Sequence, residues 1–142
     1  MRLWHKDLIP VLPDKQLLGQ WRECCAIAKN IAEKGSPNHI LVNKIMNYPL
    51  EHFLRYGEFV QHEMCIRGFK VNLGKFIQFL KMTNCNFFNV VSSHELFKDW
   101  HNNRYLSQCY SNLEEKYDCG GIEKVAWEKI FDFYWFKRDW DE

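Results

Sequence analysis

The chain has 142 residues, which is enough for one domain with a substantial hydrophobic core. Its 19 Lys and Arg residues are balanced by 18 Asp and Glu, which excludes nucleic-acid binding through a strong overall positive charge and leaves only a local basic surface for that purpose. No apolar run approaches the length of a membrane span and no signal peptide is recognisable, so we expect a soluble, cytoplasmic protein.

The first 13 residues contain two prolines and show no helical period, which predicts an extended arm. Four apolar side chains would hold this arm against the core: Leu3, Trp4, Leu8 and Leu12. A terminus anchored so close to its first residue either completes the core or places the α-amine at a definite position. The arm alone favours the first interpretation.

The next segment predicts a long helix from about residue 15 to 34, with Asp14 as N-cap and Gly35 as the stop. Apolar side chains recur along one face of it: Leu17, Leu18, Trp21, Cys24, Cys25, Ala28 and Ile31. The outward face carries a basic column with a spacing of seven residues: Lys15, Arg22 and Lys29. Gly19 and Ala26 leave a shallow track between this column and Glu23. Such a face suits an active site, and a solvated surface with local ion pairs would show the same pattern.

Three further helices are predicted before the end of the central region. One follows a short buried helical turn at residues 39–46, begins at Pro49 and ends at Arg67 and Gly68. A shorter one covers residues 71–82, and a loop covers residues 84–91. Ser92 and Glu95 have the spacing of a capping box, which predicts a helix that begins there.

The last clear helix places five residues in register, Leu106, Cys109, Tyr110, Leu113 and Tyr117, and ends at Gly120. The tail from residue 122 to 142 is rich in aromatic side chains that suit a core or a partner surface: Trp127, Phe131, Phe133, Tyr134, Trp135, Phe136 and Trp140. These elements predict an all-α protein, a single compact helical bundle over residues 1–142 with an extended N-terminal arm.

The cysteines and histidines show no metal-binding spacing. The six cysteines include no C-x-x-C pair, and Ile66 stands where an H-E-x-x-H motif beginning at His62 would need its second histidine. Without an export signal the cysteines are expected to be reduced thiols. We therefore predict no metal and no cofactor.

The chain begins Met1-Arg2-Leu3-Trp4, and it carries Trp21-Arg22-Glu23 on the first predicted long helix and Glu63 to Phe69 at the end of the second. These motifs resemble the pyrimidine-dimer DNA glycosylase family, the phage endonuclease V type, and within it a bacterial branch that begins Met-Arg-Leu-Trp. That family has an aromatic-Arg-Glu sequence on its first long helix, which is similar to Trp21-Arg22-Glu23 here. The segment from Glu63 to Phe69 resembles the end of the family's second helix. Two later patterns are also similar: Leu106-Ser107-Gln108 and Leu113-Glu114-Glu115-Lys116.

The resemblance implies a DNA glycosylase with abasic-site lyase activity, in which a free N-terminal α-amine attacks C1′ of the damaged nucleotide and forms a Schiff base. Because methionine is not normally removed before a side chain as large as that of Arg2, the nucleophile would be the amine of Met1, held over the Gly19 and Ala26 track within reach of Glu23. Glu23 would stabilise the cationic sugar and move protons. Arg22 would hold phosphate or orient the carboxylate.

The implied partner is double-stranded DNA that contains damaged bases or abasic sites. We expect the protein to be a monomer and to bind no membrane. We assign DNA contacts to four residues: Arg2, Lys15, Gln16 and Lys29. The alternative is a non-catalytic nucleic-acid or protein-binding helical module that uses the aromatic tail as its surface. A third hypothesis, a structural protein with an aromatic core, predicts no DNA binding. A borohydride-dependent covalent adduct with abasic DNA separates the enzyme from the binding module.

Overall fold

A computed structural model describes the backbone of residues 1–141 and the side chains of residues 1–137. The described chain is built from helices and contains no β-strand, which confirms the all-α prediction. The α-helices are α1 (Asp14–Lys34), α2 (Leu50–Ile66), α3 (Gly74–Lys81), α4 (Asn103–Asp118) and α5 (Lys124–Asp141). Two 3-10 helices, Lys6–Val11 and Asn43–Asn47, precede α1 and α2. Among the described residues, none of these helices is long and apolar enough to cross a bilayer.

Helix α1 is the central element. It ends at Gly35, whose φ of +80° is the left-handed conformation expected of a C-cap glycine. It begins one residue earlier than predicted, because Pro13 is the N-cap and Asp14 is already helical. Its buried residues are Leu17, Gln20, Trp21, Cys24, Ile27, Ala28 and Ile31. The buried face therefore extends further towards Gln20 and Ile27 than the sequence indicated.

Helices α2 and α3 pack against α1. The Arg67 guanidinium at the end of α2 donates to the Leu12 carbonyl at 2.6 Å and to the Asp14 carboxylate at 3.0 Å, so α2 runs antiparallel to α1. Phe76 of α3 lies between Trp21 and Phe53, with ring centroids 5.3 and 5.4 Å away. The predicted stripe of α2 is confirmed as buried: Leu50, Phe53, Gly57, Val60 and Met64.

The N-terminal arm is anchored as predicted, but it is extended only over its first five residues. Leu3, Trp4, Leu8 and Leu12 are all buried. The prediction of an extended conformation was wrong for Lys6–Val11, where the His5 side chain caps a 3-10 helix by accepting the Asp7 amide at 3.1 Å. A side-chain cap of this kind satisfies an end group that a short helix would otherwise leave open.

Two other segments differ from prediction. In the run 39–46, Ile40 is 85% exposed, so this turn is only partly buried. The Ser92 cap forms, with its hydroxyl accepting the Glu95 amide at 3.2 Å. No regular helix follows it, because Phe97 and Asp99 adopt positive φ values of 49° and 77°.

Helix α5 was not predicted from the sequence. It covers the aromatic tail and buries Trp127, Ile130 and Tyr134. Tyr134 stacks on Tyr110 of α4 with ring centroids 3.9 Å apart. Trp140 lies outside the described side chains. The tail thus provides part of the core, while Phe131, Trp135 and Phe136 remain exposed.

Candidate active site

The buried side chain of Gln20 connects the arm to α1. Its Nε2 donates to the Arg2 carbonyl at 2.9 Å, and its Oε1 accepts the Trp4 amide at 2.7 Å. Gln20 is only 1% exposed, so these hydrogen bonds are shielded from water. The carboxamide pairs with the arm backbone as a neighbouring strand would, which fixes the course of residues 2–4.

Two tyrosines hold the same arm from other helices. The Tyr56 hydroxyl on α2 donates to the Trp4 carbonyl at 2.5 Å and also lies 3.1 Å from the Gln20 Oε1. The Tyr105 hydroxyl on α4 donates to the Leu3 carbonyl. Burial raises the pKa of both tyrosines, so both hydroxyls keep the proton that they donate. We call Gln20, Tyr56 and Tyr105 the arm clamp.

The clamp brings the N-terminus to Glu23. The Arg2 backbone amide donates to the Glu23 Oε2 at 3.1 Å, and the Glu23 side chain is half-buried. Met1 is the next residue towards the terminus and is 38% exposed. The chain therefore places its α-amine one residue away from a fixed carboxylate, at the protein surface.

The Arg2 side chain turns back along the protein. Its guanidinium lies 5.6 Å from the centroid of the Trp4 ring and 3.8 Å from the Cys109 sulfur. Arg2 is half-buried as a result. Of the four predicted DNA contacts, it is the one most closely held by the fold.

The remaining predicted site residues lie along α1. Lys15, Arg22 and Lys29 are exposed, whereas Gln16 is half-buried. Among the described side chains, the Gln16 Oε1 is a buried oxygen with no hydrogen-bond partner. Because successive helical residues differ by 100°, Arg22 lies on the outer face while Glu23 lies on the flank that contacts the arm.

The arm does not follow the track that the sequence suggested. A Cβ added to Gly19 would have nothing within 4 Å, so no part of the arm covers that residue. The backbone of Arg2 instead contacts Gln20 and Glu23. The predicted position of the Met1 amine over the Gly19 and Ala26 track was therefore wrong at Gly19, because a buried glutamine offers the arm hydrogen bonds that a small-residue surface cannot.

The arm clamp was missed by the sequence analysis. The sequence contains one indication of Gln20's role, because this polar residue lies next to Trp21 within the apolar face of α1. The sequence contains no such indication for Tyr56 and Tyr105, because nothing in it relates them to the arm before the fold is known.

The described residues contain no group of three or more His, Cys, Asp or Glu side chains arranged to hold a metal ion. All six cysteines are free thiols.

The sequence model of the family described as pyrimidine dimer DNA glycosylase matches residues 1–76, more than half of the chain. The matched part contains the arm, α1 and α2, and therefore Gln20, Glu23 and Tyr56. The fold and this match define a helical DNA glycosylase. The chain belongs to the pyrimidine dimer DNA glycosylase family, and its substrate is DNA. Comparisons with curated proteins and with solved structures gave no match.

Proposed function

We propose that the protein excises pyrimidine dimers or related damaged bases from double-stranded DNA and then cleaves the abasic strand, with the α-amine of Met1 as nucleophile and Glu23 as its catalytic carboxylate. The observation that carries this proposal is the 3.1 Å hydrogen bond from the Arg2 amide to Glu23. A carboxylate fixed beside the first residues of a chain suits chemistry performed by the terminal amine.

In the first step the neutral α-amine attacks C1′ of the damaged nucleotide, and the bond between C1′ and the base breaks. The base leaves with the bonding electrons and takes up a proton. Positive charge develops on the sugar, and the Glu23 carboxylate stabilises it. The amine nitrogen then loses a proton through Glu23, the bond between C1′ and O4′ opens, O4′ is protonated, and the Schiff base forms.

In the second step a proton is removed from C2′, and the electrons of that bond expel the 3′ phosphate, which cuts the strand. Water then hydrolyses the Schiff base and returns the free amine. Since the same nitrogen takes part throughout, its position matters in every step. The arm clamp serves this purpose by reducing the conformational freedom of residues 2–4 before substrate binds.

The outer face of α1 supplies the DNA contacts in this proposal. Lys15, Arg22 and Lys29 are exposed along it, and each can neutralise a phosphate. Arg2 belongs to the arm, and Gln16 lies seven residues before Glu23 on the same flank of α1, so both would contact the strand near the damaged nucleotide. The protein acts as a monomer, and local charge takes the place of an overall basic charge.

Glu23→Gln tests the catalytic part of the proposal. The variant keeps an oxygen that can accept the Arg2 amide, so the free energy of unfolding should change by less than about 1 kcal/mol. We expect base excision from dimer-containing duplex to fall by at least about 100-fold, while the dissociation constant for the same duplex changes only a few-fold. Glu33→Gln, an exposed change on the same helix, is the matched control and should excise normally. Excision at the wild-type rate by Glu23→Gln would remove Glu23 from the active site.

A further inference from the structure

A groove of about 310 Å³ lies between α1 and α3, on a different side of α1 from the arm. Its lining residues are Cys25, Ala26, Lys29, Asn72, Lys75 and Phe79. Lys29 is among the residues already assigned to DNA. The other five have no role in the proposed reaction.

The position of the groove follows from how α1 is packed. Trp21 contacts Phe76, which places α3 on one flank of α1, whereas Gln20 and Glu23 hold the arm on the other flank. The exposed outer face with Arg22 lies between the two flanks. A helix with its side chains is about 10–12 Å wide, or about three base-pair steps of 3.4 Å. A duplex that crosses this face would therefore reach the N-terminus and the groove together.

The charge around the groove is positive. The sequence contains no Asp or Glu between Glu63 and Glu95. Within the part of the chain whose side chains are described, neither Lys29 nor Lys75 has a carboxylate within 4.0 Å. The nearest acidic residue along this face of α1 is Glu33, one turn after Lys29.

A free hydrogen-bond donor and a local positive charge also favour a ligand with anionic groups. The Asn72 Oδ1 accepts the Gly74 amide at 2.8 Å, which leaves the Nδ2 hydrogens of this exposed side chain as donors. Burial raises the pKa of the Cys25 thiol, which lines the groove, and the positive charge of Lys75 offsets part of that rise, so this charge acts within the groove. Phe79 supplies an apolar wall suited to a sugar face.

We propose that this groove binds the sugar–phosphate backbone of the duplex substrate, with Lys29 and Lys75 as paired phosphate contacts and the Asn72 amide as a third donor. The proposal rests on the proposed DNA function, and it extends the interface from α1 to α3. The groove contributes affinity that is independent of sequence and damage, because it contacts no base.

Lys75 and Lys81 provide a matched comparison. Both are exposed on α3, and their six-residue spacing places them about 120° apart around the helix axis. Lys75 lines the groove, and Lys81 is not among its lining residues. Comparing the loss of each charge therefore distinguishes a phosphate site in the groove from an effect of general surface charge.

The experiment measures binding of an undamaged duplex by fluorescence anisotropy over a range of salt concentrations. For Lys75→Ala we expect the slope of log K against log salt to fall by about 0.9, and for the Lys29→Ala, Lys75→Ala double variant by about 1.8. Lys81→Ala should keep the wild-type slope, and so should Lys75→Arg, which retains the positive charge. Thermal unfolding of each variant should match wild type, because these side chains are exposed.

The outcomes distinguish a failure of the groove proposal from a failure of the proposed reaction. If wild type binds in a salt-dependent manner and Lys75→Ala keeps the wild-type slope, the groove is not a phosphate site, and the Met1 chemistry is unaffected. An equal fall in slope for Lys81→Ala would also overturn the groove, since the effect would then be one of general charge. A wild-type protein that binds no duplex at all would overturn both proposals.

Discussion

Gln20→Leu should disconnect the N-terminus from the active site with little change in side-chain volume. The substitution removes the acceptor of the Trp4 amide and the donor to the Arg2 carbonyl. It also removes one acceptor of the Tyr56 hydroxyl, which keeps its bond to the Trp4 carbonyl. The arm then loses the contact that fixes its backbone on both sides of Leu3.

The size of the effect follows from these two backbone groups. A buried polar group left without a partner costs about 1–3 kcal/mol, so two of them weaken docking of the arm by about 2–6 kcal/mol. Each 1.4 kcal/mol corresponds to about a tenfold change in rate. We therefore expect formation of the covalent intermediate to slow by about 30-fold or more.

The assay is single-turnover trapping by borohydride on a duplex that contains one abasic site, with urea unfolding measured in parallel. Gln61→Leu is the control, since the hydrogen bond that the Gln61 side chain makes to a described residue stays within α2, to Cys65. A folded Gln20→Leu protein that is trapped at the wild-type rate would refute the role of the arm clamp.

Two further predictions concern stability. A Cβ at Gly57 would lie 2.4 Å from the buried Phe76 ring. Gly57→Ala should therefore lower the free energy of unfolding, measured in urea, by about 1–3 kcal/mol. Gly19→Ala is the control and should not be destabilising, because a Cβ there would have nothing within 4 Å. Equal stability of the two variants would contradict the close packing of α2 on α3. Burial lowers the pKa of His5 to about 4 and that of His101 well below its usual value of 6.5. The unfolded chain then binds more protons below pH 6.5, so the free energy of unfolding should fall between about pH 6.5 and 4, by up to about 1.4 kcal/mol per pH unit for each histidine. His101→Gln should reduce this slope, and an unchanged profile would contradict the buried neutral state.

The helices with a clear apolar period were predictable from the sequence. The buried faces of α1, α2 and α4 repeat every three or four residues, and glycines mark their ends. Helix α5 escaped prediction because it is apolar on more than one side, with Trp127 buried and Phe131 and Phe136 exposed. That distribution weakens the periodic signal on which the prediction depended.

The failed helix after Ser92 shows how tertiary contacts override a local signal. The capping hydrogen bond is present, but the Phe97 amide donates to the His52 Nδ1 of α2 at 3.0 Å. This amide is therefore taken out of any local helical ladder, and positive φ values follow at Phe97 and Asp99. Nothing near Ser92 in the sequence indicates a partner on α2.

The candidate site was predictable in its local part. The sequence predicted a buried Trp21 and outward-facing Arg22 and Glu23. Trp21 is buried and Arg22 is exposed, whereas Glu23 is half-buried and accepts the Arg2 amide. The links from the arm to α2 and α4 were not predictable, because they depend on Tyr56 and Tyr105, which lie 52 and 102 residues from their partners.

The central claim is that the first nitrogen of the chain performs the chemistry. Borohydride reduction of the protein with abasic duplex, followed by proteolysis and mass spectrometry, locates the adduct directly. We expect attachment at the Met1 α-amine and no adduct after N-acetylation, while the acetylated protein keeps its fold. Attachment at Lys6 or Lys15, or full trapping of the acetylated protein, would contradict the account.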